Sequence, residues 1–273
     1  MIYMEIKSIT SEERLGTEYT EHVIFSELNY YVEFYDSLSF QVMGWISTGV
    51  ISLINLDTYS YSSIKGTLES ISHILKKGRI NDAYSLLRKY YDSTIINIYT
   101  NLFLEDNSTI DNFIVEQIDS WCKGIKRLPE YRVMSDYIRK STKLEKINSL
   151  LLYDDRYKKI RNRCNDNTHY NYYKHILLND NQIYNPNRTK YLDLFSKDIE
   201  SIFIQHFAYL FYLKEHYMMS SDYVDCLDMG MEPVQNSQYW VANFVQETFD
   251  KIIKSKRPDI ASEIKQKISM DLD

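Results

Sequence analysis

From about residue 57 onward, apolar positions recur mainly at helical spacing. Ile64, Leu68, Ile71 and Leu75 follow steps of four, three and four, which places them on one face of a helix. Gly78 then offers a C-terminal stop, Asn81 or Asp82 an N-cap, and Ala83, Leu87, Tyr91, Ile95, Ile98 and Leu102 resume the spacing. Two apolar stripes joined by so short a connection predict an antiparallel helical hairpin whose stripes face each other or a shared third helix.

Elsewhere the pattern weakens and returns. Ile2, Met4 and Ile6 alternate like a short strand before a helix expected over about 18–35. Further helices are expected over about 110–121, after Pro129 through Tyr131, Met134, Tyr137 and Ile138, and over 144–152, with Asn- and Asp-rich turns between them. The Asn-rich stretch 179–187 reads as a loop, and 192–217 as a long, heavily buried helix suited to be the central rod. After a loop over 228–237 holding Gly230 and Pro233, Trp240, Val241, Phe244, Val245, Phe249 and Ile252 form one broad helical face that Pro258 ends. Ile260, Ile264 and Ile268 mark a short amphipathic segment expected to dock loosely or extend to a partner. The reading is all-α: a helical bundle with an N-terminal extension over 1–56, a core over 57–217 and C-terminal helices over 218–273.

Composition sharpens this picture at three points. Only 7 glycines and 4 prolines interrupt 273 residues, which favours long helices over many short strands. The 25 tyrosines, apolar rings with polar tips, suit half-buried helix faces. A formal charge of −6 argues against indiscriminate coating of nucleic acid or anionic lipid, yet leaves room for a local basic patch. Cys122, Cys164 and Cys226 are scattered and form no CxxC pair, and the first 30 residues lack an apolar leader, so a reducing cytoplasm is the expected compartment. The most apolar run, 201–213, is interrupted by Gln205 and His206 and falls short of the roughly 20 residues a membrane span needs, so no membrane contact is expected.

Chemistry concentrates in one segment. The chain contains no P-loop, no dinucleotide glycine fingerprint, no nucleophile elbow and no HExxH, which counts against several common enzyme classes. What stands out is 156–173, RYKKIRNRCNDNTHYNYY, where a basic run passes into an Asn/Asp cluster and then a histidine among tyrosines. Arg156, Lys158, Lys159, Arg161 and Arg163 together can hold a phosphate backbone, although such runs are often only a solvated helix face. Asn165, Asp166 and Asn167 are good N-caps and poor helix-interior residues, so a break is expected, with a helix restarting near Thr168 and His169 in its first turn. Without that break, six residues at about 100° each would set Arg163 and His169 some 120° apart.

Arg163 and His169, with five intervening residues, resemble the arginine–histidine motif of the HEPN superfamily. Arg163 fits by spacing, whereas Arg161 would leave seven residues between; Cys164 stands where many members carry a polar residue, so the assignment between the two arginines stays open. The resemblance implies a compact helical core over about 57–217, a motif at a homodimer interface, RNA as substrate, no metal or other cofactor, and a toxin or antiviral-defence role with a possible antitoxin or sensor partner.

The implied reaction follows from RNA's own chemistry. The 2′-hydroxyl is a built-in nucleophile, so a proton shuttle and a cation for the developing phosphorane charge suffice. His169 suits the first role and Arg163 the second, with Asn165 or Asp166 orienting the imidazole. Tyr170, Tyr172 and Tyr173 can stack unpaired bases, or simply pack in the core. Two rivals stand beside this reading. One is a non-catalytic helical module that binds a protein or nucleic acid, with His169 structural; the other is a metal site of Asp166, His169 and His175, disfavoured because the two histidines are six apart.

Overall fold

A computed structural model describes residues 14–45, 56–109, 114–179 and 187–273. The alternation of Ile2, Met4 and Ile6 lies outside them. The architecture is all-α, as the periodicity predicts. The expected N-terminal helix is two: α1 (Thr17–Thr20) and α2 (Ile24–Trp45). The predicted hairpin is α3 (Leu56–Lys76) and α4 (Ile80–Asn107), with Ile64, Leu68, Ile71, Leu75, Ala83 and Leu87 all fully buried. α3 packs between α2 and α4.

The turn between α3 and α4 is a Schellman motif. Gly78 adopts φ 74°, its N–H donates to the Leu75 carbonyl at 2.8 Å, and the Arg79 N–H reaches the Ile74 carbonyl at 3.2 Å. The next helix does not use the expected cap. Arg79 occupies the N-cap position of α4 without a side-chain bond, and Asn81 and Asp82 lie inside the first turn. Their partners come from elsewhere in the chain. Asn81 Nδ2 donates to the Asn167 carbonyl at 2.9 Å, while the Asp82 N–H and carboxylate both bond the Asn179 amide, at 3.2 and 2.7 Å.

Short helices follow: α5 (Glu116–Cys122), α6 (Tyr131–Lys140) and α7 (Glu145–Leu151), then α8 (Arg156–Thr168) and α9 (Tyr173–Leu177). α10 (Arg188–Lys214), with a 3-10 turn at Glu215–Met218, is the expected rod, in contact with α1, α2, α4, α7 and α8. α11 (Asp222–Asp228) precedes the 228–237 loop. α12 (Asn243–Thr248) continues through a π-helical turn, Phe249–Lys254, so Trp240 and Val241 precede the helix rather than belong to its face. Pro258 begins α13 (Pro258–Lys267), where its fixed φ and missing N–H suit the first helical position. α13 does not dock loosely: Ile260 and Ile264 are fully buried against α7, α10 and the π-helical turn.

A continuous apolar cluster runs from Tyr19 to Leu272 and joins the N-terminal, central and C-terminal segments. Phe34 on α2 meets Phe203 and Phe207 on α10 and Phe244 on α12, with ring centroids 5.0, 5.7 and 5.6 Å apart. Many tyrosines pack as expected: Tyr19, Tyr35, Tyr61, Tyr84, Tyr90 and Tyr209 are among the largest fully buried side chains.

A polar chain threads this apolar interior. Asn97 Oδ1 faces His206 Nε2 at 2.9 Å, so that nitrogen carries the proton; Nδ1 then accepts from the Tyr35 hydroxyl at 2.7 Å, which lies 3.1 Å from the Tyr90 hydroxyl. At the other end, the buried Asp57 carboxylate accepts from Asn97, Asn101 and the Tyr217 hydroxyl at 2.8, 2.7 and 2.8 Å. Burial drives the His206 imidazole down to about 3 and holds the Tyr35 and Tyr90 phenols well above their ordinary value. Among the described residues no helix is long and apolar enough to cross a membrane.

Candidate functional site: the C-terminal end of α8

Buried positions Tyr157, Ile160, Cys164 and Asn167 seat α8 on α4 and α10. The helix does not break at the Asn/Asp cluster; it runs through Asn165, Asp166 and Asn167 to Thr168, and His169 is its C-cap. The expected restart at Thr168 is therefore replaced by a continuous helix. Short polar side chains break helices when they compete for local backbone groups. Here two of the three are engaged across the fold. Asn165 Oδ1 accepts from Arg88 Nη1, and Asn167 Oδ1 from Asn81 Nδ2 at 3.1 Å. Asn167 Nδ2 turns back to the Arg163 carbonyl at 2.9 Å.

The helix ends in a second Schellman motif, this time with a tyrosine at the left-handed position. Tyr170 has φ 49°, its N–H donates to the Asn167 carbonyl at 3.2 Å, and the Asn171 N–H donates to the Asp166 carbonyl at 3.0 Å. Asn171 Nδ2 also donates to the Asp166 carboxylate at 2.8 Å. His175, buried on α9, donates from Nδ1 to the same Asp166 carbonyl at 3.0 Å. Asp166 and His175 thus meet through a backbone oxygen rather than as converging ligands, and among the described residues no three His, Cys, Asp or Glu side chains are placed to hold a metal ion.

Arg163 and His169 lie on different sides of α8. With the helix continuous to its C-cap at His169, the turn count sets them about 120° apart. Arg163 faces α10, where its Nε donates to Asp198 Oδ2 at 2.8 Å and its Nη2 to Oδ1. Asp198 is buried and Arg163 about one-third exposed, so the pair closes one edge of the guanidinium and leaves Nη1 outside it. Burial alone would lower the arginine; the Asp198 hydrogen bonds and charge outweigh it and raise it. Burial raises the Asp198 carboxyl, with Arg163 offsetting part of that shift. Cys164, next to the arginine, is buried, and burial pushes its thiol up to about 12, so it is no nucleophile near neutral pH.

His169 is exposed, and its imidazole makes no hydrogen bond to the described residues. Just beyond it in the chain Tyr170, Tyr172 and Tyr173 stand 46, 57 and 74% exposed, which excludes the core-packing reading of these rings. Lys174 adds a cation, with its Nζ 5.5 Å from the Tyr172 ring centroid.

The basic run divides in two. Arg156 is held by Asp154 at 3.0 Å and Arg161 by Asp92 at 2.5 Å, with the Arg161 guanidinium also 3.2 Å from the Tyr131 ring centroid. Lys158 and Lys159 are exposed and form no ion pair among the described residues. Three of the five cations are thus neutralised by partners and two face outward.

Arg88, Asp198 and Asn171 are the neighbours that the sequence reading missed. Asp198 carried a signal: it is an acidic residue beside the apolar stripe of Leu192, Phe195, Ile199 and Ile202. Comparison of the chain with protein-family models, with curated proteins and with solved structures finds no match in any of the three.

Proposed function

We propose that the chain is a metal-independent endoribonuclease that cleaves single-stranded RNA by attack of the 2′-hydroxyl on the adjacent phosphate, as its HEPN-like motif suggests. The observation that carries this reading is an unengaged, exposed imidazole at the end of α8, followed within five residues by three exposed tyrosines and a lysine. His169 moves the proton, because its imidazole can both accept and donate one and is exposed at the end of α8. Arg163, pre-oriented by Asp198, offers Nη1 to a non-bridging phosphate oxygen. Tyr170 and Tyr173 stack unpaired bases, and Lys158 and Lys159 hold the strand's phosphates. Because Arg163 and His169 lie about 120° apart around one helix, a homodimer in which Arg163 approaches the partner's His169 completes the site better than one copy alone. A toxin or defence role, with a protein that restrains the activity, fits such an enzyme.

A second reading, a non-catalytic module that binds RNA or a protein on this face, draws on the commitment of Arg163 to Asp198. The two separate in one assay. Purified protein and its His169→Ala variant are incubated with mixed single-stranded RNA in excess EDTA, and the product ends are tested for 2′,3′-cyclic phosphate. Cleavage by the wild type alone, with cyclic ends, establishes the ribonuclease. RNA binding without cleavage in either protein establishes the binding module.

A further inference from the structure

A cavity of about 390 Å³ opens beside the N-terminal half of α8, between α4, α6 and α10. Its walls are aromatic: Tyr91, Tyr131, Tyr157 and Tyr209 all line it, with Tyr91 5.9 Å from Tyr131 and 6.3 Å from Tyr157 between ring centroids. This volume falls in the range of small-molecule sites, roughly 300 to 1000 Å³.

One buried polar atom in the wall lacks a partner. Gln205 is 3% exposed, lines the cavity, and its Oε1 makes no hydrogen bond. The orientation of that amide is fixed by its neighbours. Asn148 Nδ2 donates to the carbonyls of Ile138 and Arg139, at 3.0 and 3.3 Å, so its Oδ1 must be the acceptor for the Tyr209 hydroxyl at 2.7 Å. The Tyr209 proton is then spent, so its oxygen can only accept, and the Gln205 amide, one turn earlier on α10, meets it with N–H rather than with oxygen. Gln205 Oε1 is left as an acceptor, and buried acceptors left unmade are rare enough to call for a donor.

Charge at the mouth selects little. Arg161 pairs with Asp92, Arg139 with Asp136 and Asp154 with Arg156, which leaves Lys158 and Asp155 facing solvent with opposite signs. The ligand is therefore recognised by a planar face and an N–H, not by a strong charge.

We propose that this cavity holds an unpaired nucleobase, stacked against its tyrosine wall and donating a ring or exocyclic N–H to Gln205 Oε1, with Lys158 near the attached phosphate. Every common base carries such a donor, and aromatic walls take a base without regard to sequence. The base belongs either to a free nucleotide or to an RNA strand; in the second case the inference rests on the RNA reading above and gives the strand an anchor at the opposite end of α8 from His169.

The test is direct titration of the full chain with the four nucleoside 5′-monophosphates and with a fluorescent ten-residue oligoribonucleotide. Wild type is compared with Gln205→Leu, which removes the acceptor at similar volume, with Lys158→Ala, and with His169→Ala. The expected result is saturable binding that weakens roughly tenfold in Gln205→Leu, since a lost buried hydrogen bond is worth about that factor. The thermal midpoint of this variant should be unchanged or higher. If Gln205→Leu does not fold, a severalfold weakening in the surface variant Lys158→Ala serves as the readout, and unchanged binding there overturns the proposal. Binding of monophosphates identifies a free nucleotide, and binding of the oligonucleotide alone identifies a strand. No binding of either probe, or equal binding in Gln205→Leu, overturns the proposal. Binding that depends on Gln205 with no RNA cleavage by any variant leaves the pocket standing and removes the ribonuclease reading.

Discussion

Two histidines mark two regions of this molecule that use the same side chain in opposite ways. His169 sits at the open end of α8 with its imidazole unengaged, whereas His206 is sealed in α10 with both ring nitrogens spent on Asn97 and Tyr35. The first is available to a ligand and contributes little to the fold. The second locks helices together and is unavailable to any reaction near neutral pH. A polar group's environment, rather than its type, decides whether it serves stability or chemistry.

The contrast is broken if the exposed histidine proves to matter for folding or the buried one for activity. The largest expected effect is on cleavage: His169→Ala should lower RNA cleavage about 100- to 10,000-fold, the usual worth of a general acid–base group. Its denaturant midpoint should stay within about 0.5 kcal/mol of wild type. His206→Ala should do the reverse to stability. It empties a core site and orphans Asn97 and Tyr35, a loss of about 3 kcal/mol measurable by chemical denaturation.

Acid should expose the same difference. The His206 imidazole falls to about 3 in the folded state, from an ordinary value near 6.5, so the unfolded chain binds the proton first. Its stabilising contribution is complete above pH 6.5 and is lost as pH falls toward 3, at about 1.4 kcal/mol per unit. Denaturation profiles of His206→Gln across that window should be flatter than those of the wild type; identical slopes would place the acid sensitivity elsewhere.

Asp198→Asn sharpens the comparison on the α8 side. It weakens the hold on Arg163 and should cost about 1 to 3 kcal/mol of stability. If Asp198 orients Arg163 for phosphate, cleavage falls with it; a rise in cleavage would mean that the carboxylate competes with the substrate. The smallest effect concerns Tyr170, at φ 49°. A left-handed tyrosine is strained by about 1 kcal/mol, and glycine is not. Tyr170→Gly should therefore raise stability by about that amount while weakening RNA binding, and a variant that is both stabler and equally active would remove Tyr170 from the site.

How much of this was legible in the sequence depended on how far each residue's partner lay along the chain. The α3–α4 hairpin was legible because its signals are local: the step of three or four and the glycine at 78 both act within a turn or two. The end of α8 was misread for the opposite reason. Asn165, Asp166 and Asn167 have the local preferences of a break, but Arg88 and Asn81, which take the side chains of Asn165 and Asn167, are 77 and 86 residues away. Gln205 and His206 registered only as polar interruptions of an apolar run. Their roles became visible when Tyr209, Asn97 and Tyr35 were placed beside them. The surface residues of the candidate site were chosen by motif and composition, and the fold placed His169, Tyr170 and Tyr173 in the open while turning Arg163 toward α10.

The polar chain from Tyr90 through Tyr35, His206 and Asn97 to Asp57 also bears on how this protein opens. Each link joins residues far apart in sequence, so α2, α4 and α10 cannot separate one at a time without stranding a buried donor or acceptor. The amide protons of these three helices should accordingly exchange as one cooperative unit with a shared opening free energy. The short α9 helix, whose outer face is exposed, should exchange sooner, so that the face bearing Tyr173 can breathe while the frame beneath it stays closed.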